Sequence, residues 1–534
     1  MQKFVSLLLL TAGLILECYW AIGQNRWSKP YFGNLDTPIH TLVESYDKGY
    51  LMQGKYGSNY SKYNWLTKTD VNGEVLWEKT IGDGIHPIAI LDMKHDGEGN
   101  TYLAGGTNAY DPDGDPVIIK LNACIEKEWC RIFYTENHYS FARCLTLTPD
   151  GGIAVTLFQS NPDPLVDRIC LAKLSSAGEL IWKQCYTTVD ISQRGEDIWD
   201  AIVTPDQGFL LTGFCYYEDP TFPNLWWLHP YFLKVDSLGN FEWETVVYKE
   251  TNLHGGIAVS TVVSPNMQYY YSSISHYYYD TILASPALVK LDLEGNVMDV
   301  YDVVYGYKEG KLNYAQFIND STLAASAGWG NSDEDLWSRA VIIDTLGNLI
   351  NSTVIMEDQF VSLLQIAYDG KLVYASETYQ NNQFDFYLTK LNQNLEDDTL
   401  YTRPFTYDSL CLYQIVSDTI VQDDCGLIVG VDENDGGEAG KQEGMEAWGH
   451  GGMEIWPNPC REVLNVKCLG LSSGQACLLS VLDIFGQEVP LSILEECKSG
   501  SWAIDVTSFP PGVYFVLVKD DVKHISSGKF VKVR

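Results

Sequence analysis

An apolar-x-Lys-apolar-Asp-x-x-Gly signature recurs along this 534-residue chain at a nearly constant interval, which restricts the fold to architectures made by stacking one unit. Clear copies are Leu66-Thr67-Lys68-Thr69-Asp70 with Gly73, Leu171-Ala172-Lys173-Leu174-Ser175 with Gly178, Phe232-Leu233-Lys234-Val235-Asp236 with Gly239, and Leu288-Val289-Lys290-Leu291-Asp292 with Gly295. Weaker copies centre on Asn122, Asp344 and Asn392, and the turn advances by 52, 53, 61, 56, 52 and 48 residues from copy to copy. In the first four copies a Trp follows the Lys position by nine residues: Trp77, Trp129, Trp182 and Trp243.

Each copy reads as a hairpin, because Asp or Asn can bond its own turn while Gly supplies the left-handed backbone angle. A second turn signature precedes it by 23 to 30 residues, as in Asp47-Lys48-Gly49, Pro149-Asp150-Gly151, Pro205-Asp206 and Pro265-Asn266. Two hairpins per period give four short strands, the content of one propeller blade. The expected fold is therefore all-β: a seven-bladed β-propeller over residues 24–431, followed by a small C-terminal β-sandwich. An open β-solenoid is the competing layout, although solenoid coils are usually shorter. Residues 25–38 and 410–431 are both candidates to close or cap the ring.

Length and composition agree, since 534 residues exceed one ordinary core unless it is built from repeats. The net charge of −35 repels phosphate backbones and so argues against nucleic acid as a partner. Residues 1–23 carry Lys3, an apolar run from Phe4 to Leu16 and the small-residue end Ala21-Ile22-Gly23, the order of a secretory signal peptide. No other apolar stretch approaches the ~20 residues of a membrane helix. In an oxidising compartment, disulfides are permitted; Cys124/Cys130 and Cys411/Cys425 are the locally plausible bridges.

Residues 432–452 turn abruptly to Gly, Glu and Asp, a flexible acidic linker. Beyond it, residues 453–534 alternate apolar strands with Asn, Gly and Pro turns. The box Pro457-Asn458-Pro459 with Leu464-Asn465-Val466, the Asp483-Ile484-Phe485-Gly486 turn, the Ile504-Asp505-Val506 strand, the Gly512-Val513-Tyr514-Phe515 strand and the basic end from Lys529 through Lys532 to Arg534 stand in order. This tail resembles the type IX (Por) secretion system C-terminal sorting domain of Bacteroidota. The resemblance implies export to the cell surface or the medium and recognition by the type IX translocon. Sorting residues would be Pro457, Asn458, Pro459, Gly486, Gly512, Tyr514, Lys529 and Lys532. The repeat likewise resembles Asp/Gly-turn propeller repeats of secreted Bacteroidota proteins. A plain adhesive sandwich is the alternative for the tail.

Catalytic motifs are not found: the sequence holds no His-Glu-x-x-His, no Gly-x-Ser-x-Gly, no phosphate-binding Gly-Lys-Ser/Thr and no Cys-x-x-Cys. No catalytic residue is assigned. Asp111, Asp113 and Asp115 alternate as in a calcium loop, so calcium is the one cofactor candidate. The insertion from Tyr216 to Trp227 in the fourth unit makes Trp226 and Trp227 candidate contacts for a glycan or protein ligand. The expected function is binding or display by an exported propeller. A secreted hydrolase of glycans or peptides, with its site at the channel, is the alternative, and a structural spacer a third.

Overall fold

The structure, a computed structural model, describes residues 28–31, 38–56, 63–109, 114–134, 139–160, 168–186, 193–218, 226–247, 253–278, 283–332, 337–357, 363–380, 383–422, 424–429, 453–456, 461, 463–468, 477–483, 489–497, 501–510, 512–520 and 525–532. It divides into two compact units, Met1–Gly437 and Glu438–Arg534. The signal segment 1–23, the linker 432–452, Asp111, Asp113, Pro457, Asn458, Pro459 and Gly486 lie outside the described residues.

In the first unit, seven sheets of four or five strands follow one another along the chain, antiparallel except for one parallel edge strand added to each of the first two. Six are continuous: blades 1 to 6 span residues 39–81, 88–134, 140–186, 193–246, 253–302 and 309–356. Blade 7 takes three strands from residues 363–391 and its outermost strand from Ser28–Tyr31, which pairs with Gln383–Leu391. From the innermost strand outward, the strands of a blade pair mainly as successive antiparallel hairpins, as the turn chemistry requires; the added edge strand Ser28–Tyr31 of blade 7 comes from a distant part of the chain. No helix among the described residues is long and apolar enough to cross a membrane.

The blades are held together by burial. Seven apolar clusters each draw on two consecutive blades, and the seventh joins Val373, Ala375 and Leu388 of blade 7 to Tyr50, Met52 and Trp65 of blade 1. A sheet is apolar on both faces here, so only a closed ring leaves no face in water.

The recurring residues perform two tasks. In the outer hairpin, the Asp carboxylate accepts two backbone N–H groups: Asp236 takes those of Leu238 and Asn240, and Asp344 those of Leu346 and Asn348. Gly then occupies the left-handed region (Gly239 φ 82°, Gly347 φ 73°), whereas the copies at Asn122 and Asn392 place Ile125 and Leu395 there at 57° and 62°. Both of those side chains are buried, so apolar packing offsets the backbone cost. The signature lysine, on the third strand, reaches back to the Asp of the inner turn, as in Lys173–Asp150 (2.6 Å) and Lys234–Asp206 (2.9 Å).

Between blades, the outer-strand Trp lies over the turn Gly of the following blade. A Cβ on Gly178, Gly239 or Gly295 would come within 2.7, 2.8 and 2.5 Å of Trp129, Trp182 and Trp243 respectively. The carbonyl of the same glycine accepts a bond from the preceding blade: from Arg131 Nε to Gly178 (2.7 Å), Tyr186 Oη to Gly239 (2.8 Å) and Thr245 Oγ1 to Gly295 (2.7 Å). Tyr31 does this at the ring seam, donating to Gly73 of blade 1 (2.6 Å). We expect Gly295→Ala to cost about 2–4 kcal/mol, since the left-handed angle and the displaced indole both resist it. Gly151→Ala should cost only about 1–2 kcal/mol, because nothing lies within 4 Å of its added Cβ. Urea unfolding midpoints of the two variants would check the difference.

After blade 7 the chain returns over blades 1 and 2 as a strap. Tyr407 Oη accepts from Val71 N (2.9 Å), Asp408 takes the Trp77 indole N–H (3.0 Å) and pairs with Lys68, and Thr419–Ile420 and Gly426–Val429 add parallel to the outer strands of blades 1 and 2. The disulfides correct the sequence reading. The same four cysteines bond crosswise, Cys124–Cys411 and Cys130–Cys425, tying strap to blade 2; a third bridge, Cys170–Cys185, joins register partners in blade 3. Local spacing favoured the wrong partners because the strap returns to blade 2 only after the ring has closed.

In the second unit, Met453–Trp456, Val463–Cys468, Ser501–Asp505 and Ser492–Cys497 form one sheet, and Cys477–Asp483, Gly512–Asp520 and Ile525–Lys532 another. Leu464, Val466, Trp502 and Ile504 of the first and Val481, Tyr514 and Val516 of the second belong to one buried cluster.

Candidate functional site: the central channel and its aromatic rim

The innermost strands of all seven blades surround a cavity of about 680 Å³. Six of these strands are irregular where they face it, with register shifts at Ile39/Thr41, Ile90/Asp92, Ala142/Leu145, Ile198/Asp200, Ala258/Ser260 and Leu312/Ala315. A bulge turns its extra residue out of the pleat. That is how His40, Leu91, Arg143, Trp199, Val259 and Tyr314 come to line the channel.

Most charged groups in the channel are committed to the framework. Asp92 of blade 2 accepts Leu145 N of blade 3 (2.8 Å) and pairs with Lys94 (2.9 Å); Asp200 of blade 4 accepts Thr261 N of blade 5 (2.8 Å); Glu377 of blade 7 accepts Ile39 N of blade 1 (2.6 Å). Each such bond fills an N–H that the bulged strand would otherwise leave unmade. Burial raises the Asp200 carboxyl to about 6, against the opposing pull of the Thr261 N–H and of Lys94. Burial works against the Lys94 ammonium, but Asp92 outweighs it and raises its pKa. The Cys144 thiol is pushed up by burial, which makes it a poor nucleophile. Burial lowers the His40 imidazole, whose Nδ1 lies 2.8 Å from the Ile90 carbonyl oxygen.

One sector of the rim differs. Between blades 3 and 4, at the end opposite the Asp/Gly turns, Tyr139, Phe158 and Phe141 contact one another, Arg143 lies over Phe141 and Trp199, and Phe214 sits edge-on between Trp199 and Tyr216. The Arg143 guanidinium is 5.0 Å from the Trp199 ring, and Asp197 Oδ2 orients both, accepting the Trp199 indole N–H (3.1 Å) and lying 3.7 Å from Arg143. Trp199 is 38% exposed, Tyr216 42% and Tyr139 55%, so aromatic faces remain open beside a fixed cation.

The residues singled out from sequence are placed differently. Trp226 and Trp227 stand on no inserted loop. They begin the third strand of blade 4, opposite Glu218 and Tyr217, and Trp227 is half-buried toward Gly255 of blade 5. Tyr216, on the other face of that hairpin, is the one that joins the rim. Asp115 is buried in the third strand of blade 2. Among the described residues, no three His, Cys, Asp or Glu side chains converge on a metal position. Trp199 and Arg143 were missed because a bulge in an inner strand leaves no mark in a period-2 pattern. In the tail, Gly512 and Lys529 lie on paired strands, Tyr514 is buried and donates to the Pro510 carbonyl (2.8 Å), and Lys532 is buried.

Residues 454–533 match the family described as secretion system C-terminal sorting domain, so the chain carries an export-sorting tail and is a secreted or cell-surface protein. No curated protein sequence matches significantly. Among solved structures, the polysaccharide lyase Uly1 is similar at 11% identity and a TM-score of 0.42, over 68% of this chain and 91% of that one. A protein of unknown function from Bacteroides caccae is similar at 12% identity and a TM-score of 0.30, over 50% and 82%. Prolyl oligopeptidase B from Galerina marginata aligns at 9% identity and a TM-score of 0.40, over 91% and 55%. These likenesses carry no argument about activity.

Proposed function

We propose that this chain is a non-catalytic glycan-binding propeller, delivered outside the cell by the type IX translocon. On this reading the signal peptide ends at residue 23, the propeller occupies 24–431, and residues 432–452 link it to a sorting domain at 453–534 whose two sheets pack as a β-sandwich. The observation that carries the binding role is the division of labour in the channel. Its carboxylates Asp92, Asp200 and Glu377 are occupied by backbone N–H groups of the following blade, whereas Trp199 and Tyr216 offer exposed aromatic surface beside the Arg143 guanidinium, which Asp197 and the Trp199 ring hold in place. Aromatic faces suit the apolar face of a sugar ring, and a fixed guanidinium suits its oxygens.

Screening the mature protein on a panel of polysaccharides tests this. Trp199→Ala is expected to weaken the best ligand by about 30-fold, equivalent to about 2 kcal/mol at an aromatic anchor, with no new reducing ends released. The secreted hydrolase remains as a second reading on one observation, the Asp200 carboxyl held near 6 inside the channel. Product release that Asp200→Asn abolishes would establish it in place of the first. Calcium at Asp111, Asp113 and Asp115 is a separate proposal, tested by a rise in unfolding temperature on adding calcium.

A further inference from the structure

The repeats provide their own control for a second site, on the opposite end of the ring from the aromatic rim. In blades 1, 3, 4 and 7 the third-strand lysine is neutralised by the aspartate of its own inner turn: Lys68 by Asp47, Lys173 by Asp150, Lys234 by Asp206 and Lys390 by Asp369. In blade 5 the corresponding lysine is Lys290, and the turn reads Ser264-Pro265-Asn266 where blades 3 and 4 read Thr-Pro-Asp. An amide cannot balance an ammonium. Among the described residues, no carboxylate lies within ion-pair distance of Lys290. Its Nζ instead rests 3.8 Å from the centre of the Tyr269 ring and 5.7 Å from that of Tyr271.

The space is open. A cavity of about 470 Å³ between blades 5 and 6 is lined by Lys290, both tyrosines and Asn266 on one side and by Asp320 and Thr345 on the other. Blade 6 has Ile342 at the lysine position, so Asp320 has no lysine of its own blade to meet. The cavity therefore carries the Lys290 ammonium on one wall and the Asp320 carboxylate with Thr345 on the other, so an anionic group fits only at the Lys290 end.

We propose that this cavity binds a hydroxylated carboxylate, of the uronic acid type, whose anionic group takes the place that the turn aspartate fills in the sister blades. Its hydroxyl groups would donate to Asp320 and exchange bonds with Thr345. The net charge of −35 repels anions in general, so binding rests on this local pairing and weakens as salt rises.

The test uses the full mature chain and titrates glucuronate, glucose and inorganic sulfate by calorimetry. Glucuronate is expected to bind at least tenfold more tightly than either of the others. Lys290→Met should weaken it at least tenfold. Asn266→Asp should do the same by restoring the internal pair, and it should fold normally because the sister blades carry that aspartate. Trp199→Ala should leave glucuronate binding unchanged, which separates this site from the channel rim. Unaltered binding in Asn266→Asp would overturn the proposal, as would glucose binding equally well; sulfate binding as tightly would overturn the ligand class.

Discussion

A variant lacking both Cys411 and Cys425 is expected to lose about 9 kcal/mol of propeller stability, whereas loss of either cysteine alone costs only about 3 kcal/mol. The asymmetry follows from the crosswise pairing. Cys124–Cys411 and Cys130–Cys425 span 287 and 295 residues, so whichever forms first closes nearly the whole ring, a loop worth about 6 kcal/mol of unfolded-state entropy. Once it has formed, the second closes a loop of only about 20 residues, made of the short stretches from Cys124 to Cys130 and from Cys411 to Cys425, worth about 3 kcal/mol. Either bridge alone thus retains the long closure. Guanidinium unfolding of Cys411→Ser, Cys425→Ser and the double variant under oxidising conditions would measure it. Single variants each as damaging as the double would refute the crosswise arrangement.

Deleting residues 453–534 is expected to abolish appearance of the protein outside the outer membrane and leave a folded propeller in the periplasm. The deletion removes the matched sorting domain entirely and none of the residues in the seven inter-blade clusters. The periplasmic product should therefore keep its three propeller disulfides and its unfolding midpoint. Cell fractionation with protease added to intact cells reads the location. A truncated chain found outside in undiminished amount would remove the sorting role from the tail.

The blades were legible because each depends on contacts a few residues apart. Asp236 bonds Leu238 and Asn240, and Gly239 supplies the left-handed angle, all within five consecutive positions. Counting those turns was enough to count blades. The channel was not legible in this way, since Arg143 and Trp199 meet across two blades at bulges where strand alternation breaks. Trp226 and Trp227 stood out in the sequence by composition, yet they belong to strand pairing.

What the sequence by itself determined is the repeated hairpin, its number and the tail that follows, because local hydrogen bonding and alternation encode them over short distances. Only the tertiary structure decided that Ser28–Tyr31 completes blade 7, that Cys124 and Cys130 find partners in the strap, and that Lys290 rests over the Tyr269 ring with no ion pair among the described residues. Those are contacts between residues tens to hundreds of positions apart. Nothing local selects one such partner over another until the ring has closed and brought them together.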